Sequence, residues 1–208
     1  MKIVFFGDSI TDAAKNDTYL AYSYGQGYVG FVAGELLSQN PEKYEILNRG
    51  NSGHRIVDLY AGIQQRVWNN APDVLSILIG VNDVWHGITA NNGVDIKRFE
   101  KVYRAIIEES LELFPDLKII LCEPFFLDGT ATHEHYNEFC KIKSYAQTVK
   151  CLAQEYDLYF LPLQKKLDEK AAEYPAEYWL WDGVHPTRGG AKIIADEWLK
   201  LFKSEIDK

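Results

Sequence analysis

Short apolar runs alternate along the chain with longer stretches whose apolar positions recur every three or four residues. Residues 3–6, 44–47, 74–79, 118–122 and 158–161 form the first class and predict strands. The run at 74–79 reads Val-Leu-Ser-Ile-Leu-Ile, as expected of a strand buried on both faces. The second class predicts helices. One covers 28–37, with Val29, Phe31, Val32 and Leu36 or Leu37 facing inward. Another covers 56–67, with Ile56, Leu59, Tyr60, Ile63 and Val67 on one face. A third covers 96–114 and is stopped by Pro115. The fourth covers 136–156, with a stripe of Phe139, Ile142, Ala146, Val149, Leu152, Ala153 and Tyr156, and the last covers 190–203. Strand and helix in alternation predict an α/β fold, a five-stranded parallel sheet with helices on both faces.

In such sheets functional groups gather beyond the carboxyl ends of the strands. The segments there are the unusual ones. Gly7-Asp8-Ser9-Ile10-Thr11-Asp12 follows the first strand, Asn48-Arg49-Gly50-Asn51-Ser52-Gly53-His54 the second, and Gly80-Val81-Asn82-Asp83 the third. Asp182-Gly183-Val184-His185-Pro186 comes well after the fifth.

Acyl transfer needs these parts. A serine hydroxyl attacks only if a base takes its proton, and imidazole suits that task near neutral pH. A carboxylate on the other ring nitrogen fixes the tautomer, and a tetrahedral oxyanion needs fixed N–H donors. Ser9 is the candidate nucleophile, with His185 as base and Asp182 as its partner. The N–H groups of Ser9 and Gly53 and the Asn82 amide are the candidate oxyanion donors. Trp85, Trp181, Tyr28 and Arg55 are candidates for lining the substrate site. Asp8, Asp12 and Asp83 have the wrong spacing for a phosphatase-type metal centre, so Asp8 and Asp83 are read as anchors of their loops, and no metal or cofactor is called for.

With these residues the chain resembles the SGNH hydrolases, or GDSL esterases. Their four blocks match as Gly-Asp-Ser around Ser9, Asn-x-x-x-Ser-Gly ending at Gly53, Gly-x-Asn-Asp around Asn82, and Asp-x-x-His from Asp182 to His185. The resemblance implies a three-layer α/β/α sandwich with a flavodoxin-like sheet, metal-free hydrolysis and the roles given above. Gly27-Tyr28-Val29, the Val84-Trp85 pair after block three and Trp181 before block four are similar to the intracellular acetylxylan esterases. That similarity implies a carbohydrate deacetylase. Many relatives carry Asp where this chain has His54, a departure beside the oxyanion glycine. The alternatives are a lysophospholipase or thioesterase acting on longer acyl chains, and a non-catalytic sugar-binding or scaffolding protein.

Length and composition fit this picture. A chain of 208 residues with 47% apolar content suits one domain over residues 1–208. The net charge of −8, without any basic run, argues against nucleic acid and favours a neutral or cationic ligand. Cys122, Cys140 and Cys151 are odd in number and match no metal spacing, which predicts free thiols in a reducing compartment. The N-terminal apolar run is too short for a signal peptide and no stretch is long enough to span a bilayer, so the cytoplasm is expected, with no membrane partner. Five Trp, 13 Tyr and 10 Phe leave rings to spare for a homo-oligomer contact.

Overall fold

The computed structural model describes residues 1–18 and 23–208. Five parallel strands form one sheet: β1 (Lys2–Gly7), β2 (Glu45–Asn48), β3 (Val74–Leu78), β4 (Lys118–Cys122) and β5 (Tyr159–Leu161). Their order is β2-β1-β3-β4-β5. The helices are α1 (Ser9–Asp12), α2 (Tyr28–Gln39), α3 (Ile56–Arg66), α4 (Val81–Ala90), α5 (Ile96–Leu113), α6 (Tyr136–Phe139), α7 (Ile142–Glu155), α8 (Gln164–Glu173) and α9 (Arg188–Leu201).

The order positions the site. From β1 the chain crosses through α2 to β2 on one side, then returns through α3 to β3 on the other side of β1. Right-handed crossovers in opposite directions put the two helices on opposite faces. Accordingly α2 packs on α9 across one face, while α3, α5 and α7 pack in series across the other. The loops leaving β1 and β3 diverge, which opens a crevice between their carboxyl ends, where ligands bind in open α/β sheets.

The strands are held by burial on both faces. Ile3, Val4, Phe5 and Phe6 of β1 are fully buried, as are Ile119, Ile120 and Leu121 of β4. Trp198 of α9 reaches the middle of the sheet, where its indole N–H donates to Ser76 Oγ of β3 at 3.0 Å. Its ring stacks on Phe202 at 4.8 Å and lies 4.9 Å from Phe5. The polar atom of a buried indole needs such a partner, and Ser76 supplies it inside an otherwise apolar strand.

Several expectations are corrected. The stretch 136–156 is two helices, α6 and α7, interrupted at Cys140 and Lys141. Two further helices, α4 and α8, are not among those predicted: α4 carries Val81, Val84, Trp85 and Ile88 at helical spacing, whereas α8 buries only Leu167. Phe31 is half-buried rather than core, with the Arg188 guanidinium over its ring. Tyr60 is exposed, and its hydroxyl donates to Glu109 at 2.6 Å.

Gly50 shows how tightly the loops after β1 and β2 interlock. A Cβ there would collide with the Asp12 N and lie 2.7 Å from the Thr11 carbonyl carbon. Both are backbone atoms and cannot swing aside. Gly50→Ala is therefore expected to destabilise the fold by about 1–3 kcal/mol, the scale of an overpacked core. Thermal unfolding measures this, and an unchanged midpoint would contradict the contact.

Candidate active site

Three side chains meet above the crevice. Ser9 Oγ lies 2.9 Å from His185 Nε2, and His185 Nδ1 lies 2.7 Å from Asp182 Oδ2. The first distance joins segments 176 residues apart, and the second lies within one turn. That turn is locally determined. Asp182 Oδ1 accepts the N–H groups of Val184 at 2.9 Å and His185 at 2.7 Å, folding the carboxylate back onto its own loop. Gly183 turns the chain at φ +97°, and a Cβ there would lie 2.5 Å from Thr132 Oγ1. Only glycine meets both conditions.

Ser9 is presented by a cap. Asp8 is the N-cap of α1 and accepts the Ile10 N–H at 3.0 Å. Ser9 is the first helical residue, so its own N–H has no intrahelical acceptor. The Asn48 side chain ties the neighbouring loops. It donates to the carbonyls of Thr11 (2.7 Å) and Tyr24 (2.9 Å) and accepts the Gly50 N–H (3.0 Å). Asp12 accepts the Ser52 hydroxyl at 2.7 Å. From the β3 side, Asn82 donates one amide N–H to the His54 carbonyl at 3.0 Å, which keeps the amide beside the Gly53 loop with its second N–H unspent. Gly53 has φ +81°, and its N–H has no acceptor among the described residues. Asp83 accepts the Ile56 N–H at 3.1 Å and thereby joins α4 to α3.

The electrostatics favour an active imidazole. Its hydrogen bond to Asp182, opposed in part by burial, holds the His185 pKa above the ordinary 6.5. Burial would push Asp182 up, yet the bonds from the His185 ring and backbone and from Val184 outweigh it and hold the carboxyl below its ordinary value. Burial pushes Asp8 up to about 7 and Asp83 to about 8. His54 is lowered, chiefly by burial. Burial also pushes the Cys122 thiol up to about 12, so it is no rival nucleophile. Because the base must be unprotonated, the acid limb of kcat/KM is expected above pH 6.5. A pH–rate profile on an uncharged ester checks this, and a limb well below 6.5 would contradict the His185–Asp182 bond.

A cleft of about 430 Å³ runs from Ser9 and His185 past Ile10, Ser52, Trp181 and Pro186. Trp181 is 58% exposed and stacks on the His185 ring at 5.7 Å and 18°. Trp85, half-buried, approaches the same ring at 5.8 Å and packs its edge on Phe139. Of the lining candidates Trp181 faces this cleft, whereas Trp85 is not among its lining residues, and the other two lie elsewhere. Tyr28 is core: its hydroxyl meets Thr11 Oγ1 at 3.1 Å and its ring packs on Phe5. Arg55 is held by Asp58 at 2.8 Å and by Asn92, where it staples α3 to the loop after α4. The sequence reading missed Ala13, Ala14, Gln26 and Arg188, which line the cleft. Arg188 was within reach, two residues beyond Pro186. His86, one helical residue past Trp85, lies close to Gly53.

The chain matches the GDSL-like lipase/acylhydrolase family over residues 5–193, a span that contains Ser9, Gly53, Asn82, Asp182 and His185. It belongs to this family of ester hydrolases. The GDSL hydrolase is 33% identical to an acetylxylan esterase of Geobacillus stearothermophilus, over 96% of this chain and 92% of that protein. A crystal structure of that enzyme superposes with a TM-score of 0.86 at 31% identity, covering 96% of this chain and 93% of the other. Other structures of it are catalytic mutants in which an Asp, a Ser or a His is replaced by Ala. A hydrolase from the Lake Arreo metagenome superposes with a TM-score of 0.87 at 26% identity, covering 97% and 94%. The five-stranded parallel sheet flanked by helices is thus the SGNH hydrolase fold. Among the described residues of this GDSL hydrolase, no helix is long and apolar enough to cross a membrane.

Proposed function

We propose that this GDSL hydrolase is a serine esterase that removes short acyl groups, acetyl above all, from carbohydrate hydroxyls. The observation that carries the reading is the unbroken chain of contacts from Ser9 Oγ through the His185 ring to Asp182. Ser9 Oγ attacks the ester carbonyl as His185 Nε2 takes its proton. The oxyanion is held by the N–H groups of Ser9 and Gly53 and the free N–H of Asn82. Collapse breaks the bond to the alcohol, which leaves with the proton from His185. Water, activated by the same ring, then cleaves the acyl-enzyme and releases the carboxylic acid.

The substrate class follows from the walls and the relatives. The exposed Trp181 indole in the cleft offers a flat apolar surface that suits the C–H face of a sugar ring. A relative at 33% identity is an acetylxylan esterase. An acyl-length series on 4-nitrophenyl esters, with acetate release from acetylated xylo-oligosaccharides, tests the proposal. Turnover is expected to peak at acetyl and to fall by about tenfold or more by octanoyl, within the range by which a binding site discriminates chain lengths. A peak at octanoyl or beyond would transfer the chain to the lysophospholipase or thioesterase class.

A further inference from the structure

The cleft that starts at Ser9 ends on an unpaired cation. Arg188 is the one Lys or Arg among its lining residues. Its Nη1 donates to the Gln26 carbonyl at 2.5 Å, and its guanidinium carbon lies 4.5 Å from the centre of the Phe31 ring. These contacts aim the group without neutralising it. Among the described residues no carboxylate pairs with it, although the chain has 30 Asp and Glu against 22 Lys and Arg. The remaining residues, 19–22, are Tyr-Leu-Ala-Tyr and contain no acid.

Its place on the helix sharpens the point. Arg188 opens the 14-residue α9, whose first turn holds no acidic residue. A helix N-terminus carries partial positive charge, so acids are favoured there and cations disfavoured. The chain thus sets a positive group on a positive end and leaves it without a counter-ion, exposed on the wall of the active-site cleft. Local rules broken in this way mark functional positions. With one N–H spent on Gln26, the planar fork keeps donors enough for two parallel bonds to one carboxylate. A lone guanidinium without lysines around it matches a carboxylate monoanion better than a phosphate dianion.

The reaction identifies which part of the substrate lies there. This inference rests on the proposed mechanism, in which His185 Nε2 hands its proton to the departing oxygen, so the alcohol lies beside the imidazole. Trp181, Pro186 and Arg188 line the cleft together with that ring. The acyl carbonyl turns instead toward Gly53 and Asn82. We infer that Arg188 recognises a carboxylate on the leaving alcohol, and that the preferred substrates are acetylated sugar acids or acetylated oligosaccharides bearing a uronic acid. The net charge of −8 by itself favours a neutral or cationic ligand; Arg188 is a local exception to that balance.

A matched pair of O-acetylated methyl glucuronosides tests this, one with the free carboxylate and one with a carboxamide at the same carbon. The readout is the ratio of kcat/KM within each variant, which a general loss of activity does not move. The unaltered protein is expected to favour the carboxylate by about tenfold or more, the worth of a charge-assisted hydrogen bond. Arg188→Gln brings the ratio to about one, Arg188→Lys leaves an intermediate preference because the charge remains, and added salt erodes it. A ratio near one in the unaltered protein, or a preference that survives Arg188→Gln, overturns the inference. So does hydrolysis of 4-nitrophenyl acetate with neither glucuronoside cleaved. Failure on every acetyl ester, the aryl acetate included, would instead count against the proposed function.

Discussion

Ser9→Ala lowers turnover of an acetyl ester by at least about a thousandfold, the scale expected for removing a nucleophile, while the fold is retained. The clean separation follows from the cap. The structural duty at the start of α1 belongs to Asp8, whose carboxyl holds the Ile10 N–H, and Ser9 contributes only its backbone. Among the described residues its side-chain oxygen bonds to His185 alone. Loss of that oxygen therefore removes the attacking atom and costs the helix nothing, since Ala is the better helix former. The residual rate comes from the oxyanion donors and substrate binding. Asp182→Asn is a less clean probe, because Asp182 Oδ1 also holds two backbone N–H groups of its turn. Steady-state kinetics beside a thermal melt decide the matter. Near-normal turnover in Ser9→Ala would remove Ser9 from the mechanism.

Stability is expected to fall by several kcal/mol between about pH 4 and pH 8, with Asp83→Asn removing a large part of that fall. Asp8 and Asp83 are buried at the ends of adjacent strands β1 and β3, and burial lifts them from 3.8 to about 7 and about 8. The charge of Asp8 adds by repulsion to the rise that burial imposes on Asp83. The sign follows from proton counts. Above 3.8 the unfolded chain releases these protons, while the folded chain holds them to about 7 and 8. The stabilisation is complete below 3.8 and is lost as pH rises through the folded values. Every tenfold difference in proton affinity between the folded and unfolded chain is worth about 1.4 kcal/mol, which sets the scale. His185 adds a loss of the same sign above 6.5. Asp182, held below its ordinary value, acts oppositely, its contribution disappearing only in acid. Asn at position 83 keeps an oxygen for the Ile56 N–H, so the comparison isolates the titration. Denaturant unfolding across the pH series measures it; parallel curves for the two proteins would refute the assignment.

The sheet was legible because strands buried on both faces have nowhere to put a polar residue. Ile3 to Phe6 and Val74 to Leu78 therefore read as continuous apolar runs, and their ends exposed the site segments. The same logic fails for α4, whose N-terminal turn carries Asn82 and Asp83. Val81, Val84, Trp85 and Ile88 do recur at helical spacing, but the segment reads only as the motif that follows the third strand. It fails for α8 because a helix that buries one leucine has no stripe to show. Tyr28 was drawn toward the site by its neighbours in sequence, whereas the face of α2 that carries it turns to the sheet. The contact between Ser9 and His185 was predicted from acyl-transfer chemistry and the resemblance of the four blocks; nothing in local periodicity reports a pairing across 176 residues.

The turn that carries both Asp182 and His185 has a consequence for how activity is lost. The acid and base are separated by two residues and clamped by their own backbone, so their relation survives displacement of the loop as a body. Ser9, the proposed nucleophile, sits at the far end of the chain, and its alignment with the imidazole depends on the assembled sheet. Mechanical loosening therefore acts on a single joint, and the catalyst fails there as an intact acid–base unit drawn away from its hydroxyl.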